Sequence, residues 1–249
     1  MSGNPTGSRD GVHLLATKLR ARDTLSEAEE QVLRDAVAEV RDVPAAKVIV
    51  RSGRQLEKST LLVEGIICRY RDLANGARQI QELHVAGDFV DLHAFLLKRL
   101  DHNVAAVSDC RIALIPHAAL KQITEQHAHL ARLLWFSTLL DASILRETIL
   151  SVGRRSAVAR IAHLMCELSV RLGVVGLAGP KGFILPMTQA DIADATGLTS
   201  VHVNRMLKQL RDQNMLTFRH GEVVIHDWDR LAELAEFDSI YLHLEQRSR

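Results

Sequence analysis

The sequence predicts an α+β protein with three parts: an N-terminal antiparallel β-barrel, a long connecting helix and a C-terminal winged helix-turn-helix. Three observations carry this. Between residues 44 and 116, short β-branched runs recur with glycines between them. Residues 127–152 then hold apolar positions at mixed spacings of three and four, enough for roughly seven helical turns. Beyond residue 187, two capped helices flank a glycine and are followed by a tight hairpin.

Taken in order, residues 1–11 (MSGNPTGSRDG) have no apolar core and are expected to be a disordered lead. Residues 12–22 and 25–41 are predicted helices. Ser26 with Glu29 forms a capping box for the second, and Leu25, Val32, Leu33, Ala36 and Val40 make its apolar stripe. The strand candidates are Val48-Ile49-Val50, Leu61-Leu62-Val63, Ile66-Ile67-Cys68, Gln79 to Leu83 and Ile112 to Ile115, with Asn75-Gly76 as a two-residue hairpin turn. So many short strands with regular turns imply a small antiparallel barrel or sandwich. The helix at 127–152 mixes its apolar spacings as a helix covered on two sides would. One side would lie on the barrel and the other on a twin helix, with Leu133, Leu140 and Ile144 as dimerisation residues. Gly153 is expected to break it, a further helix to run over 155–172, and the glycine-rich stretch 173–182 to act as a linker.

Thr188 and Asp191 begin the next helix as a cap pair, and small Ala193 permits close crossing by a second helix. Gly197 supplies the turn and Thr199 caps the second helix. Val203, Met206, Leu207 and Leu210 fall on one side of that helix; Val201, Arg205 and Lys208 fall on the other, flanked by Asn204. An apolar back with a front able to reach base edges and phosphates is what a DNA-reading helix requires. Leu216-Thr217-Phe218 and Glu222 to Ile225, turning at Arg219-His220-Gly221, form a wing with a basic tip; a plain helical hairpin would not need it. Residues 228–237, capped by Asp227, make a last amphipathic segment. The DNA-contacting set is therefore Thr188, Thr199, Ser200, Val201, His202, Asn204, Arg205, Lys208 and Arg219.

Composition bounds the function. The chain has 249 residues, 47% hydrophobic and 24% charged, with a formal net charge of +1. It can form two modest domains, and DNA affinity must come from local basic groups rather than bulk charge. Three separated cysteines, Cys68, Cys110 and Cys166, lack zinc spacing and suit a reducing cytoplasm. No run of eighteen apolar residues exists, so no spanning helix and no membrane partner are expected. A Gly-Lys-Ser/Thr phosphate loop, a GxSxG elbow and an HExxH pair are all missing, so no enzyme is expected.

The order of parts, with VAGDFVDLHAFL (85–96), DCRIALIP (109–116) and GLTSVHVNRMLKQLRDQNML (197–216), resembles the cyclic-AMP receptor/fumarate–nitrate regulator (Crp/Fnr) superfamily over about residues 12–240. The resemblance implies a homodimeric bacterial transcription regulator. It divides the chain into an effector-sensing, cyclic-nucleotide-binding-like barrel with flanking helices (12–126), a dimerisation helix (127–152), a winged helix-turn-helix (153–240) and a tail (241–249). Partners would be double-stranded DNA, a second copy, RNA polymerase and an unidentified small-molecule effector.

The resemblance places an effector pocket around Gly87, Asp91, Leu92, His93, Leu100, Asp101 and His102. Nucleotide-binding members carry a Glu where Leu92 stands and an Arg-Ser pair where Leu100 and Asp101 stand. Without the guanidinium an anionic ligand loses its strongest contact, so cyclic AMP is not the expected effector even with Arg99 one step away. The iron–sulfur branch has an N-terminal cysteine cluster; here the first cysteine is Cys68, so no such cofactor is expected. On the DNA-reading helix Arg205 matches the family's Arg, but Val201 replaces its Glu, which implies a different half-site. A rival reading is a haem- or metal-dependent sensor, because His84, His93, His102, His117, His127 and His129 crowd one region with Cys110 nearby. Against it, His127 and His129 lack the i, i+4 spacing of a helical metal pair, so the leading expectation is no cofactor and no metal.

Overall fold

The computed structural model describes residues 10–248. Of the expected disordered lead, residues 1–9 lie outside the described residues, and Asp10 is held: it accepts from the Val12 amide at 3.0 Å and pairs with Arg34 at 3.0 Å.

Helices α1 (Val12–Arg20) and α2 (Glu27–Asp35) precede seven strands: β1 (Glu39–Val43), β2 (Val48–Val50), β3 (Lys58–Glu64), β4 (Ile67–Asp72), β5 (Arg78–His84), β6 (Asn103–Ala106) and β7 (Cys110–Pro116). A one-turn helix α3 (Ala94–Leu97) lies between β5 and β6. The strands form two antiparallel sheets, β1-β7-β3 and β2-β6-β4-β5. Between them sits a core that includes Val50, Leu62, Ile67, Leu100, Val104 and Ile112. Each sheet is covered outside as well. Leu61, Ala113 and Ile115 pack under α1 and the helices after β7, while Cys68, Tyr70, Ile80 and Leu83 pack under the C-terminal domain. Burial on both faces explains why adjacent residues such as Leu61-Leu62 and Ile67-Cys68 are all apolar.

The second predicted helix is shorter than expected. Residues 39–43 leave it to pair with β7, where Asp42 lies opposite Arg111 and bonds its Nε at 2.8 Å. The Asn75-Gly76 turn also differs. The Leu73 amide donates to the Ala77 carbonyl (2.8 Å) and the Gly76 amide to the Leu73 carbonyl (2.9 Å), so the loop has three residues with Gly76 at φ 83°.

After α4 (His117–Gln126), helix α5 runs unbroken over Ala128–Arg154. Gly153 does not end it; the chain turns extended at Arg155, whose guanidinium reaches the Ala235 carbonyl (3.0 Å) and Glu147 (2.7 Å). Two of the three expected dimerisation residues turn inward: Leu133 and Ile144 are buried inside the chain at 0% and 4% exposure, while Leu140 is half-buried and borders a cavity. Trp135, Leu139, Leu145, Ile149 and Leu150 are the apolar residues α5 turns outward.

Helix α6 (Ala157–Val174), capped by Ser156, is followed by β8 (Ala178–Gly179), β9 (Gly182–Ile184), α7 (Gln189–Thr196), α8 (Ser200–Asp212), β10 (Leu216–Arg219), β11 (Glu222–Ile225) and α9 (Trp228–Ala235). The glycine-rich stretch is therefore not a plain linker: β8 and β9 extend the wing into the sheet β10-β11-β9-β8. Gly182 marks the contact, since a Cβ there would lie 1.9 Å from the Val223 carbonyl oxygen. The C-terminal segment also packs back. A 3-10 turn (Ser239–Leu242) buries Leu242, Tyr241 donates to Glu167 at 2.8 Å, and the Arg22 guanidinium donates to the Leu242 carbonyl.

His163, on α6, stacks on Tyr241 and meets the edge of Phe237. Burial, then the Arg155 charge, pushes its imidazole down to about 4. An unfolded chain takes up that proton near 6.5, whereas the folded chain resists until about 4. Its contribution to stability is full above 6.5 and is lost as pH falls through this window. His163→Phe is expected to flatten the fall in stability between roughly pH 6 and 4 by up to about 1.4 kcal/mol per pH unit, measured by urea unfolding across pH.

Candidate nucleic-acid interface and sensor domain

The helix pair α7–α8 is built by local rules. Thr188 Oγ1 accepts from the Asp191 amide (3.1 Å) and Asp191 returns a bond from the Thr188 amide (2.9 Å), a closed capping box. Gly197 adopts φ 66° after α7, and the next amide, Leu198, reaches back to the Ala193 carbonyl at 3.0 Å. Thr199 then caps α8 by accepting from the His202 amide (3.2 Å). Ala193 is buried beside Val203, which lets the two helices cross closely.

Val203, Leu207 and Leu210 are buried on the back of α8, and Met206 packs against them. On the front, Ser200, Val201, Asn204, Arg205 and Lys208 are exposed and His202 is half-buried; Val201 is 82% exposed. Thr188 and Thr199 are exposed at the two helix N-termini, and Arg219 is exposed at the wing turn His220-Gly221, both of whose φ angles are positive. Among the described residues, Arg205, Lys208 and Arg219 make no ion pair. Sequence reasoning missed Gln189, whose side-chain oxygen accepts from Asn204 at 3.2 Å and links the two helices across the candidate reading face. Its place at the first position of α7 was the available clue. The opposite side of α7 leans on the barrel: Arg78 approaches Asp194 at 3.6 Å, and Gln79 donates to the Asp194 carbonyl at 2.8 Å.

The seven effector-pocket candidates do not line one pocket. Leu100 fills the barrel core. Buried Asp91 clamps the Thr60 amide and hydroxyl at 2.5 and 3.0 Å, and burial pushes its carboxyl up to about 6. Gly87 lies against the backbone of Leu14. Asp101 is exposed and bonds His102 at 2.9 Å, which holds its carboxyl below the usual range. His93 and His102 do approach one another, with ring centroids 5.4 Å apart, and burial pushes His93 down to about 3. Leu92 and His93 instead border an apolar groove of about 410 Å³ between α3 and α5, with Phe95, Leu96, Leu134 and Trp135. Gly87, Leu92, Lys18, Asp88 and Arg171 border a second, internal cavity of about 40 Å³, room for about one water.

That internal cavity lies beside a buried ion network. Arg171 on α6 donates to the Leu83 carbonyl (2.8 Å), Asp88 (3.0 Å) and Glu167 (2.9 Å), and Lys18 on α1 pairs with the same Asp88. Lys18 and Arg171 hold the Asp88 carboxyl well below the carboxylate range despite its burial. Nearby, Arg69 Nη1 meets Glu82 at 2.6 Å and Nη2 meets Asp141 of α5 at 2.8 Å.

The crowded histidines separate onto different layers. His117 faces Ser59 Oγ at 3.3 Å, His127 sits at the start of α5, and His129 bonds Glu29 at 2.6 Å. The cysteines do not fit an iron–sulfur centre either: Cys68 is on β4, Cys110 on β7 and Cys166 on α6, and burial raises the pKa of each thiol.

Comparison with known proteins agrees with this geometry. Residues 159–234 match the model of the Crp-like helix-turn-helix domain, and residues 40–127 that of the cyclic nucleotide-binding domain. The chain is 26% identical over 219 residues to the transcriptional activator protein FnrL of Cereibacter sphaeroides, covering 86% of this chain and 87% of that one. It is 26% identical over 214 residues to the fumarate and nitrate reduction regulatory protein of Escherichia coli K12, covering 85% and 84%. Its fold superposes on the structure of FixK2 from Bradyrhizobium japonicum with a TM-score of 0.73 and 28% identity, covering 80% of this chain and 97% of that one. No helix among the described residues is long and apolar enough to cross a membrane.

Leu92 and Leu100, which the resemblance aligns with the polar ligands of nucleotide-binding members, are buried among apolar side chains. Calorimetric titration of the full chain with cyclic AMP is expected to give no saturable heat at micromolar concentration; a one-per-chain isotherm would contradict the pocket assignment.

Proposed function

The chain belongs to the Crp/Fnr superfamily of DNA-binding transcription regulators, and from that premise we propose that it acts as a cytoplasmic homodimer on an inverted-repeat operator, controlled by an effector other than cyclic AMP. Residues 12–126 would sense, 127–152 dimerise and 153–240 bind DNA. The observation that carries the reading is α8, with an apolar back seated on its own domain and Val201, Arg205 and Lys208 presented without a protein partner. Arg205 can grip guanine O6 and N7, and Val201 offers an apolar contact such as a thymine methyl. Thr188, Thr199, Lys208 and Arg219 suit phosphates, two of them through helix N-termini. RNA polymerase is the expected further partner, and its contacts would set activation or repression.

The dimer is proposed to form through the outward stripe of α5. Trp135, Leu139, Leu145 and Ile149 lie four, six and four residues apart, which places them on one side of the helix, too much exposed apolar surface for an isolated helix face. Leu139→Glu with Ile149→Glu is expected to give folded monomers that lose specific DNA binding. Light scattering checks the first outcome, and unchanged thermal melting of the monomer separates it from unfolding.

Two equivalent helices call for half-sites about one helical turn apart, roughly 10–11 base pairs. Arg205→Ala is expected to cost ~1–3 kcal/mol per half-site and relax preference at one base position. Lys208→Ala is expected to weaken binding to all sequences alike and reduce its salt dependence. Selection of bound sequences from random DNA, with gel shifts at defined salt, distinguishes the two.

One observation favours a second reading, a metal-dependent regulator: the buried group Glu82, His84 and Asp141.

A further inference from the structure

Glu82 and His84, two residues apart, share one side of β5, and a bulge decides which side. Arg69 lies opposite Glu82 but Tyr70 lies opposite Ile80, so Gln81 is extra in the ladder. Without it, Glu82 would share a face with Ile80, under the C-terminal domain. With it, Glu82 and His84 turn toward α5, which brings Asp141. One donor atom from each of the three lies within 4.8 Å of the others.

His84 is fully buried, and neither Nδ1 nor Nε2 has a hydrogen-bond partner; Glu82 Oε1 has none either. Leaving such groups unpaired costs ~1–3 kcal/mol each, so a buried imidazole with both nitrogens idle demands an explanation. His84 Nε2 lies 3.9 Å from Glu82 Oε2, too far for a hydrogen bond. Arg69 takes one oxygen of each carboxylate, Glu82 Oε2 and Asp141 Oδ2, and leaves the other. Two carboxylates thus share the one guanidinium of Arg69.

We propose that Glu82, His84 and Asp141 bind a first-row divalent transition-metal ion, with Arg69 orienting the two carboxylates as a positioning residue. A neutral imidazole nitrogen with two carboxylate oxygens and no thiolate suits Zn²⁺, Fe²⁺, Mn²⁺ or Co²⁺. Metal–ligand bonds of about 2.0–2.2 Å need donors closer than they stand here, so the three groups close on the ion by roughly 1 Å. Asp141 belongs to α5 and the other two ligands to β5, so the ion ties the long helix to the barrel. A regulatory role for this tie rests on the regulator reading; the ion binding itself does not.

The test uses the full chain, stripped with a chelator and desalted, then titrated with Co²⁺ while visible absorption is followed. Wild type is expected to develop saturable ligand-field bands at one ion per chain, which Zn²⁺ abolishes by displacement. His84→Leu keeps the buried volume apolar, and Asp141→Asn keeps the shape; each is expected to weaken Co²⁺ binding about tenfold or more. The exposed-histidine variant His243→Ala should match wild type. Melting curves establish that the variants are folded, and if His84→Leu does not fold, Asp141→Asn alone decides. A wild-type chain without saturable bands overturns the proposal, as does undiminished affinity in a folded Asp141→Asn. Gel shifts of the stripped protein test the regulator reading separately, so the two failures are distinguishable.

Discussion

The guanidinium of Arg171 is the contact on which the arrangement of the two domains depends. It sits on α6, the first helix of the C-terminal domain, and donates to the Leu83 carbonyl and Asp88 of the barrel. Asp88 also takes Lys18 of α1, and Glu167 beside Arg171 takes Tyr241 of the C-terminal segment. Five parts of the chain therefore converge on one cluster of largely buried charges. Burying such charges is costly, and removing one partner leaves another uncompensated, typically at 3–5 kcal/mol. A network with that penalty favours one relative placement of barrel and head, which apolar packing without direction would specify less sharply.

Around this junction α5 serves two surfaces at once. Leu130, Leu133 and Ile144 seat it on the chain's own core, while Trp135, Leu139 and Ile149 face outward. Asp141 lies between these roles, held by Arg69 of β4. Arg69 ties β5 to α5 through Glu82 and Asp141, and Arg171 ties α6 to the turn carrying Asp88. Leu100 and Leu92 fill apolar space in two different cores, and the charged side chains of the cluster meet each other.

Much of the candidate site was legible before any coordinates. The Thr188–Asp191 box, the Gly197 turn, the Thr199 cap and the split faces of α8 each follow from interactions within a few residues. The wing hairpin followed for the same reason, since a His220-Gly221 turn needs positive φ at both positions. The β8–β9 extension of the wing was not legible. Its strands are two and three residues long, and what recruits them is the backbone of β11, distant in sequence. The end of α2 failed similarly: Val40 continues a helical stripe, but the ladder to β7 claims it.

The sequence by itself determined the order of elements, the capped helices and the exposed front of α8, because propensity, capping and periodicity act locally. Only the tertiary structure decided which face of α5 is outward. Leu133, Ile144, Leu139 and Ile149 are equally apolar, and the barrel surface selects among them by contact. It also decided that Glu82, His84 and Asp141 meet, since a single bulged residue on β5 turns two of them toward a helix more than fifty residues away. Burial and long-range pairing are properties of the assembled layers, and no local pattern encodes them.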